Sequence, residues 1–508
     1  MNKSYLTVFL IFISTWAVDA QMLTATIKLD IDRQIGQIDP LLYGNFTEHL
    51  GRCIYGGIYD PTSAQADVMG FRKDVIAAAR SMGVSSIRWP GGNFVSGYHW
   101  LDGIGPRALR PKRKDLAWGD TESNMIGTDE FLKFSKATGA EPYICVNLGT
   151  GTWDEARNWV EYCNAPAGFY YADLRGKNGH PEPYHVKYWG LGNEMDGEWQ
   201  MGHRNAEDYS KFALEAAKLM KWSDDSIKLV ASGSSNYGPD WINWNKTVLS
   251  TLRDHIDYIS LHHYAGNHDH DHYKFMAVTN RVDDIISITE GLIHEVSTQY
   301  HLQKPIYIAF DEYNVWYRAY NDQKLEEHYN LQDALVIAMY LNTFLRHANS
   351  VKMANMAQLV NVIAPMMVNS DKLWLQTIYY PLQLFANNCK GVSLETFVQC
   401  DRYDAGEFRH VPYLDVSSVY DQAKQEVIIN VVNRHQDRSI QTTIVNQSGQ
   451  LQTQASLFEI NSASLSDENS LTEEKVKVLS KQISINGNNI LYSFPAHSFT
   501  MIIIKIKP

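Results

Sequence analysis

Two stretches of the sequence place a glutamate where an apolar run gives way to polar residues. Glu194 follows Asn193 in "YWGLGNEMDGEW", and Glu312 ends the apolar run of "PIYIAFDEYNVWY". A single glutamate at such a place is most often a solvated loop residue. Two carboxyl groups that face each other can instead cleave a glycosidic bond, one protonating the leaving oxygen and the other attacking the anomeric carbon or activating water. Their separation, about 5–5.5 Å for retention or about 6.5–9.5 Å for inversion, would decide the stereochemistry.

Polar residues follow other apolar runs in the same way. Glu48 lies in "FTEHLG", Arg88 and Asn93 in "RWPGGNF", and His262 and Tyr264 in "SLHHY". One such cluster could be ordinary loop chemistry. Several at the ends of parallel strands predict a single site, because in a barrel of such strands chemistry is found where the strands end.

Histidines recur in "LHHYAGNHDHDHY" with carboxylates between them, which raises the alternative of a metal site. The run is explained more simply as a polar loop beside a sugar pocket, and hydrolysis by two carboxyl groups needs no metal. We therefore expect neither a metal nor another cofactor.

The elements that must position these residues alternate between short β-rich runs and helical stretches over residues 38–365. Amphipathic segments such as "RKDVIAAARSMG" separate the runs. Eight β/α units favour a (β/α)8 TIM barrel over a doubly wound sheet, which would more often have fewer strands and a glycine-rich phosphate loop. The predicted strands are "LLYGNF", "VSSIRWP", "EPYICVNLG", "HVKYWGLGN", "IKLVASG", "IDYISLHHY", "PIYIAFDE" and "VKMANMAQLVN".

The residue pattern changes near residue 390. From there on, alternating runs such as "QEVIINVVNR" and "TMIIIKI" are separated by polar turns and show no helical periodicity. This predicts a C-terminal, jelly-roll-like β-sandwich. The strand-like segment "MLTATIKLDID" precedes the barrel and is expected to pair into that sandwich. The predicted divisions are a signal peptide at 1–20, an N-terminal strand segment at 21–37, a catalytic barrel at 38–389 and a β-sandwich at 390–508.

The first twenty residues have the form of a secretory signal: Lys3, the apolar run "LTVFLIFISTWAV", and "VDA" before Gln21. The alternative, an uncleaved membrane anchor, is less favoured because the run is too short to span a bilayer comfortably. We expect an exported protein, periplasmic or extracellular, with no stable membrane anchor.

The composition limits the classes of molecule that the protein is expected to bind. A formal net charge of −12 disfavours nucleic acid, while 29 Tyr and 13 Trp suit a sugar ligand with flat apolar faces and hydroxyls. Five cysteines are too few and too scattered for a disulfide scaffold, and no C-x-x-C pair is present. A bridge between Cys389 and Cys400 stays open as an alternative.

At five motifs the chain resembles the α-L-arabinofuranosidases of glycoside hydrolase family 51. These motifs are "GNFTEHLGRCIYGGIYD", "IRWPGGNFVSGYHW", "WGLGNEMDG", "SLHHYAGN" and "FDEYNVWY". The resemblance implies a retaining, exo-acting enzyme that removes terminal arabinofuranosyl residues from plant polysaccharides or oligosaccharides, with Glu194 as acid/base and Glu312 as nucleophile. It also implies a homo-oligomer, often a hexamer in this family.

The same resemblance implies the substrate contacts. Asn193 would bind the sugar 2-hydroxyl, and Tyr313 stands where many relatives have Trp, which bears on the leaving-group side. The remaining contacts implied are Glu48, Arg88, Asn93, His262, Tyr264, Trp316 and Gln358.

Other interpretations remain open from the residues alone. Arg88 and Asn93 could be structural, Trp316 could belong to the core, and His262 could be a satisfied interior histidine. The same barrel could carry an endo-glucanase or a xylosidase, since fold does not fix substrate. A carbohydrate-binding protein without catalysis is disfavoured because both glutamates are present.

Overall fold

Eight parallel strands close into a barrel in chain order. The computed structural model describes residues 22–319 and 324–507, so the predicted signal segment lies outside the described residues. The sixth and seventh strands continue past their predicted ends, and the other six lie within the predicted runs. The strands, first to eighth, are Gly44–Phe46, Ser86–Trp89, Glu141–Val146, Tyr188–Leu191, Lys228–Ala231, Tyr258–Ala265, Tyr307–Val315 and Val351–Ala357.

Helices connect and surround the barrel strands. The sequence marks their ends: Asn205 caps helix Ala206–Ser223 by accepting from the Asp208 backbone N–H at 2.9 Å, and Gly83, with φ of +82°, ends helix Lys73–Met82. The α-helices are Lys73–Met82, Thr128–Thr138, Trp153–Asn164, Tyr170–Lys177, Ala206–Ser223, Trp241–Leu252, His272–Met276, Val278–Tyr300, Leu331–Arg346 and Tyr379–Asn388. Short 3₁₀ helices occupy Pro40–Tyr43, Asn93–Gly97, Trp100–Gly103 and Arg107–Leu109.

The second part of the fold is a β-sandwich of two sheets. Ile27 and Ile444 of one sheet and Ile429 and Ile504 of the other share one buried cluster, and strand Leu23–Leu29 pairs with Ile440–Asn446. The predicted fold class, a (β/α)8 barrel with a β-sandwich, is confirmed. In spatial order the seven-stranded sheet contains Gln34–Gln37, Val392–Leu394, Leu414–Asp421, Glu426–Asn433, Ser498–Lys507, Gln450–Asn461 and Lys477–Ser484, and the four-stranded sheet contains Phe397–Gln399, Leu23–Leu29, Ile440–Asn446 and Asn489–Phe494.

Smaller features complete the chain. The short hairpins are Arg113–Lys114 with Thr121–Glu122, Met366–Val368 with Leu373–Leu375, and Arg402–Ala405 with Phe408–Pro412. All five cysteines are free thiols, so Cys389 and Cys400 are not bridged. Within the described ranges, no helix combines the length and apolar character needed to cross a membrane.

Helix Leu331–Arg346 is buried on nearly every side because it lies between the barrel and the larger sheet of the sandwich. Asp415 fixes this contact. Its Oδ1 accepts from Asn342 Nδ2 at 2.7 Å and from Arg346 Nη1 at 3.2 Å, and its Oδ2 accepts from Arg434 Nη2 at 2.7 Å. Two arginines hold the pKa of this carboxyl below its ordinary value despite its burial.

We expect Asp415→Ala to lower the free energy of unfolding by about 3–5 kcal/mol, because the buried Arg434 guanidinium would lose its carboxylate. Denaturant unfolding measures the change. Glu395→Ala, which removes an ion pair whose side chains are about 60% exposed, is the control and should cost less than about 1 kcal/mol. Equal losses in the two variants would contradict a stabilising role for the buried network.

Candidate active site

A cavity of about 820 Å³ opens where the barrel strands end. It contains every sequence-predicted site residue except Arg88 and Asn193, which lie beneath its floor and contact the residues that line it. The lining residues are Glu48, Leu50, Gly92, Asn93, Trp118, Glu194, Trp199, Ser235, Asn236, Tyr237, Gly238, His262, His263, Tyr264, Arg281, Glu312, Trp316, Leu325, Gln358 and Ile363.

Glu194 reaches the cavity through a tight turn after the fourth strand. Gly192 and Glu194 both have left-handed backbone conformations, with φ of +81° and +45°. A glutamate pays a steric penalty for that conformation, which the surrounding contacts must offset. The carboxyl is held at both oxygens: Oε2 accepts from Trp199 Nε1 at 2.7 Å, and Oε1 lies 3.0 Å from His262 Nδ1.

Glu312 enters the cavity from the seventh strand and is buried. Its Oε1 accepts from Arg88 Nη1 at 2.5 Å, and its Oε2 accepts from Tyr264 Oη at 2.8 Å. His262 Nδ1 lies 3.5 Å from Oε2. The Arg88 guanidinium, the His262 ring and the Tyr264 hydroxyl therefore hold this carboxyl in one orientation.

The two glutamates face each other across the cavity. One carboxyl oxygen from each, together with one ring nitrogen of His262, lie within 4.8 Å of one another. These two oxygens are close enough for the arrangement in which one carboxyl attacks carbon directly and the other protonates the leaving oxygen.

The same three residues have the spacing of a metal site. Their surroundings do not suit a divalent cation, because the Arg88 guanidinium already occupies Glu312 Oε1. Two other histidines of the run are engaged by other partners: His263 Nδ1 lies 2.5 Å from Tyr340 Oη, and His272 Nε2 lies 2.9 Å from the Arg434 carbonyl.

Arg88 donates hydrogen bonds to two site residues. Nη1 binds Glu312, and Nη2 donates to Asn193 Oδ1 at 2.6 Å. The guanidinium is buried, lies over the Phe46 ring at 4.8 Å, and has its Nε 3.5 Å from Asp311 Oδ2. Arg88 thus pairs with buried acids, as its structural alternative predicts. The same contacts also orient Glu312 and Asn193.

Asp311 is a site residue that sequence reasoning missed. Strict alternation along a strand would direct it away from Glu312, yet the pairing register shifts on both sides of the seventh strand and both carboxyls lie inside the barrel. Burial opposes charge on Asp311, but Arg88 and His262 outweigh it and lower its pKa to about 2.

His262 connects these acids. Its Nδ1 faces Glu194 and Glu312, and its Nε2 lies 3.3 Å from Asp311 Oδ1. Burial disfavours the charged ring, but the three carboxyls raise its pKa to about 10. His262 therefore carries a positive charge at neutral pH and contacts the Glu194 side of the site as well as the Glu312 side.

Glu48 closes the opposite side of the cavity. Oε1 accepts from the Phe94 backbone N–H at 2.9 Å and from Trp118 Nε1 at 3.0 Å, and Oε2 accepts from Gln358 Nε2 at 3.3 Å. A Cβ on Gly92 would come within 2.4 Å of Oε2, so only glycine allows this approach. Burial raises the pKa of Glu48 to about 8.

This raised pKa makes stability depend on pH in a defined direction. Between the ordinary value of 4.5 and about 8, the unfolded chain loses the Glu48 proton while the folded chain keeps it, so stability falls as pH rises through this window. We expect Glu48→Gln to remove a slope of at most about 1.4 kcal/mol per pH unit. Unfolding of wild type and variant from pH 4.5 to 8 measures it, and parallel pH profiles would contradict the prediction.

The aromatic residues divide between the cavity and the core. Trp316 lines the cavity and meets Tyr264 edge-on, with ring centroids 5.7 Å apart, and it also packs against the main hydrophobic core. Tyr313 is fully buried behind the strand, with its ring centroid 5.3 Å from that of Tyr340. Tyr313 is not among the cavity-lining residues, and its bearing on the leaving-group side stays a prediction.

Trp118 and Trp199 line the cavity and donate to Glu48 and Glu194, and sequence reasoning named neither as a site residue. Trp199 gives a usable signal, since it lies five residues after Glu194 in the same loop. Trp118 gives none, because it lies within a long excursion after the second strand.

A (β/α)8 barrel with two opposed carboxyls at the ends of its fourth and seventh strands defines a glycoside hydrolase. Residues 78–283 match the model of the α-L-arabinofuranosidase 1 domain, and residues 311–498 match that of the α-L-arabinofuranosidase C-terminal domain. The chain belongs to glycoside hydrolase family 51, the family of α-L-arabinofuranosidases.

Individual relatives cover most of the chain. An intracellular exo-α-(1→5)-L-arabinofuranosidase of Halalkalibacterium halodurans is 46% identical, over 82% of this chain and 86% of its own. α-L-Arabinofuranosidase C of Emericella nidulans is 39% identical, over 94% and 96%. The arabinose complex of the Thermotoga maritima α-L-arabinofuranosidase superposes with a TM-score of 0.89 at 37% identity, covering 95% of this chain and 100% of that one.

The alternative activities have weaker support. A bifunctional glucanase-xylanase and a family 44 xyloglucanase superpose with TM-scores of 0.62 and 0.63, but at 14% and 13% identity. This is a likeness of fold alone.

Proposed function

We propose that the protein removes terminal α-L-arabinofuranosyl residues with retention of configuration, through a covalent intermediate on Glu312. The observation that carries the proposal is the pair of opposed carboxyls, whose oxygens lie within 4.8 Å of each other. That distance suits direct attack by one carboxylate while the other protonates the leaving oxygen.

In the first step Glu312 attacks the anomeric carbon and Glu194 gives its proton to the leaving oxygen. Arg88, Tyr264 and His262 hold the attacking carboxylate in one orientation, which reduces the entropy lost on reaching the transition state. The bond from carbon to the leaving oxygen breaks as the bond to Glu312 forms.

In the second step Glu194 takes a proton from water, which attacks the same carbon and releases Glu312. His262 Nδ1, 3.0 Å from Glu194 Oε1, and Trp199 Nε1, 2.7 Å from Oε2, hold the Glu194 carboxyl in place for both steps.

Substrate contacts are proposed for the remaining site residues. For Asn193, which Arg88 orients beneath the cavity floor, we propose a contact to the sugar 2-hydroxyl that strengthens in the transition state. Glu48 and Gln358 bond to each other and offer the polar wall for the other hydroxyls, with Asn93 beside them. Trp316 supplies the flat apolar surface.

The substrate class follows from the relatives. Three bacterial relatives are named exo-α-(1→5)-L-arabinofuranosidases, so we propose short α-1,5-linked arabinan chains among the substrates. The test is hydrolysis of a chromogenic α-L-arabinofuranoside, with product configuration followed by proton NMR. Release of the α-anomer supports the proposal, and a first-formed β-anomer or no turnover would overturn it.

Location and assembly are part of the proposal. The segment 1–20 supports export, although the bacterial relatives are named intracellular; a mature N-terminus at Gln21 in the periplasm or medium tests it. We propose a barrel domain at 38–389, a sandwich domain at 390–508 joined by 21–37, and a homo-oligomer. Native mass determination tests the assembly.

A further inference from the structure

One wall of the catalytic cavity carries a cation that the proposed reaction does not use. Arg281, in the first turn of helix Val278–Tyr300, lines the cavity and is exposed. Across the described part of the chain, no hydrogen bond or ion pair engages its guanidinium. Arg88, the other arginine of the site, by contrast donates to Glu312 and Asn193.

This wall adjoins the surroundings of Glu194, the proposed acid for the leaving group, because the Tyr237 hydroxyl lies near enough to both Arg281 and Glu194 for each to affect its pKa. Asp196, two residues further on, accepts from the backbone N–H groups of Ser235 and Asn236 at 2.9 Å each, which fixes the loop beside Arg281. Tyr237 of that loop donates to the His262 carbonyl at 2.7 Å. The sugar-binding residues Glu48, Trp118 and Gln358 form a separate cluster around the Glu48 carboxyl.

The charge of Arg281 affects the pKa of a neighbouring residue in the same wall, His263. Burial and Arg281 together lower the pKa of His263 to about 4, so that imidazole is neutral and does not compete as a second cation. The nearest acid on the same helix, Asp284, lies beyond ion-pair distance, although its pKa responds to Arg281. The guanidinium is therefore free to bind a ligand.

A second cavity of about 250 Å³ adjoins this wall and shares Asn236 and Gly238 with the first. It contains Arg204, whose Nε is buried without a hydrogen-bond partner and whose guanidinium lies 4.4 Å from the Phe212 ring centroid. Its acids are Asp196, already bonded to the loop, and Asp240. The chain has a net charge of −12, yet Arg281 and Arg204 line these two adjoining cavities without an ion-pair partner among the described residues. A neutral leaving group would not require two such cations.

We propose that Arg281 forms an anion-binding subsite for the leaving group, so that preferred substrates carry a carboxylate, such as that of a uronic acid, beyond the arabinofuranosyl unit. This inference rests on the proposed function and deepens it. Arginine binds a carboxylate through two parallel hydrogen bonds, which fixes orientation as well as charge.

Matched synthetic substrates test the subsite. Aryl α-L-arabinofuranosides with a carboxylate at the para or meta position are compared with their carboxamides, which have similar shape and no charge. For wild type, Arg281→Gln and Arg281→Lys, the ratio of kcat/KM for carboxylate over carboxamide is measured. Taking this ratio within each protein and comparing it between proteins cancels the difference in leaving-group reactivity.

We expect Arg281→Gln to lower the ratio by about three- to fivefold at low salt for at least one isomer, as is typical of an exposed ion pair. Arg281→Lys should keep part of the preference, and added salt should weaken it. Arg402→Gln removes an exposed cation from the sandwich and should leave the ratio unchanged.

An unchanged ratio in Arg281→Gln for both isomers, or equal losses on acid and amide, would overturn the anion subsite. Failure of wild type to hydrolyse any of these arabinofuranosides would instead overturn the proposed function. The two failures are therefore distinguishable.

Discussion

Replacing Glu312 by alanine is expected to lower kcat on an aryl α-L-arabinofuranoside by about 10⁴- to 10⁶-fold, the scale seen when a covalent nucleophile is removed. Arg88, Tyr264 and His262 jointly orient this carboxylate toward the cavity. Without it the first bond to the anomeric carbon cannot form. Steady-state kinetics of the purified variant measures the loss.

Added azide separates this explanation from general damage to the site. In Glu312→Ala the small anion can occupy the vacated space and attack from the same face as the lost carboxylate, which gives the β-arabinofuranosyl azide. Glu295→Ala, on an exposed helix face, is the control for purification and folding and should keep full activity. Residual activity of Glu312→Ala above about one tenth of wild type would rule out Glu312 as nucleophile.

The barrel and the two glutamates could be predicted from sequence for one physical reason. Strands of a closed parallel barrel all end on the same face, so polar residues directly after each apolar run converge. Glu194 and Glu312 satisfy that rule although they are far apart in sequence. The sandwich followed from alternation, because Ile440–Asn446 alternates buried and half-buried residues along its whole length.

Other features depend on deviations from regular geometry that periodicity does not encode. Asp311 lies inside the barrel only because the register shifts around the seventh strand, and Tyr313 consequently packs against Tyr340 behind it. Trp118 reaches Glu48 from a hairpin in the excursion after the second strand. The double contact of His262, to Glu194 and to Glu312, depends on the exact side-chain positions in the folded structure, which periodicity does not encode.

Replacing Glu194 by glutamine should produce a loss that depends on the leaving group. Protonation by a positioned acid is worth about 10²- to 10⁴-fold, and a poorly acidic alcohol needs all of it. We expect kcat/KM on an arabinan oligosaccharide to fall by that factor, while kcat/KM on a dinitrophenyl arabinofuranoside stays within about tenfold of wild type. The dinitrophenolate leaves without a proton, so only the second step, which needs a base, is slowed.

The stereochemistry of rescue then assigns the two glutamates separately. Azide added to Glu194→Ala should attack the arabinosyl ester on Glu312 and give the α-azide, the opposite anomer from that formed by Glu312→Ala. Trp199→Phe, which removes the 2.7 Å hydrogen bond to Glu194 Oε2 and shortens the aromatic side chain, should cost much less than either substitution. If both glutamate variants gave the same azide anomer, the two carboxyls could not act on opposite faces of the sugar, and the double displacement would be wrong.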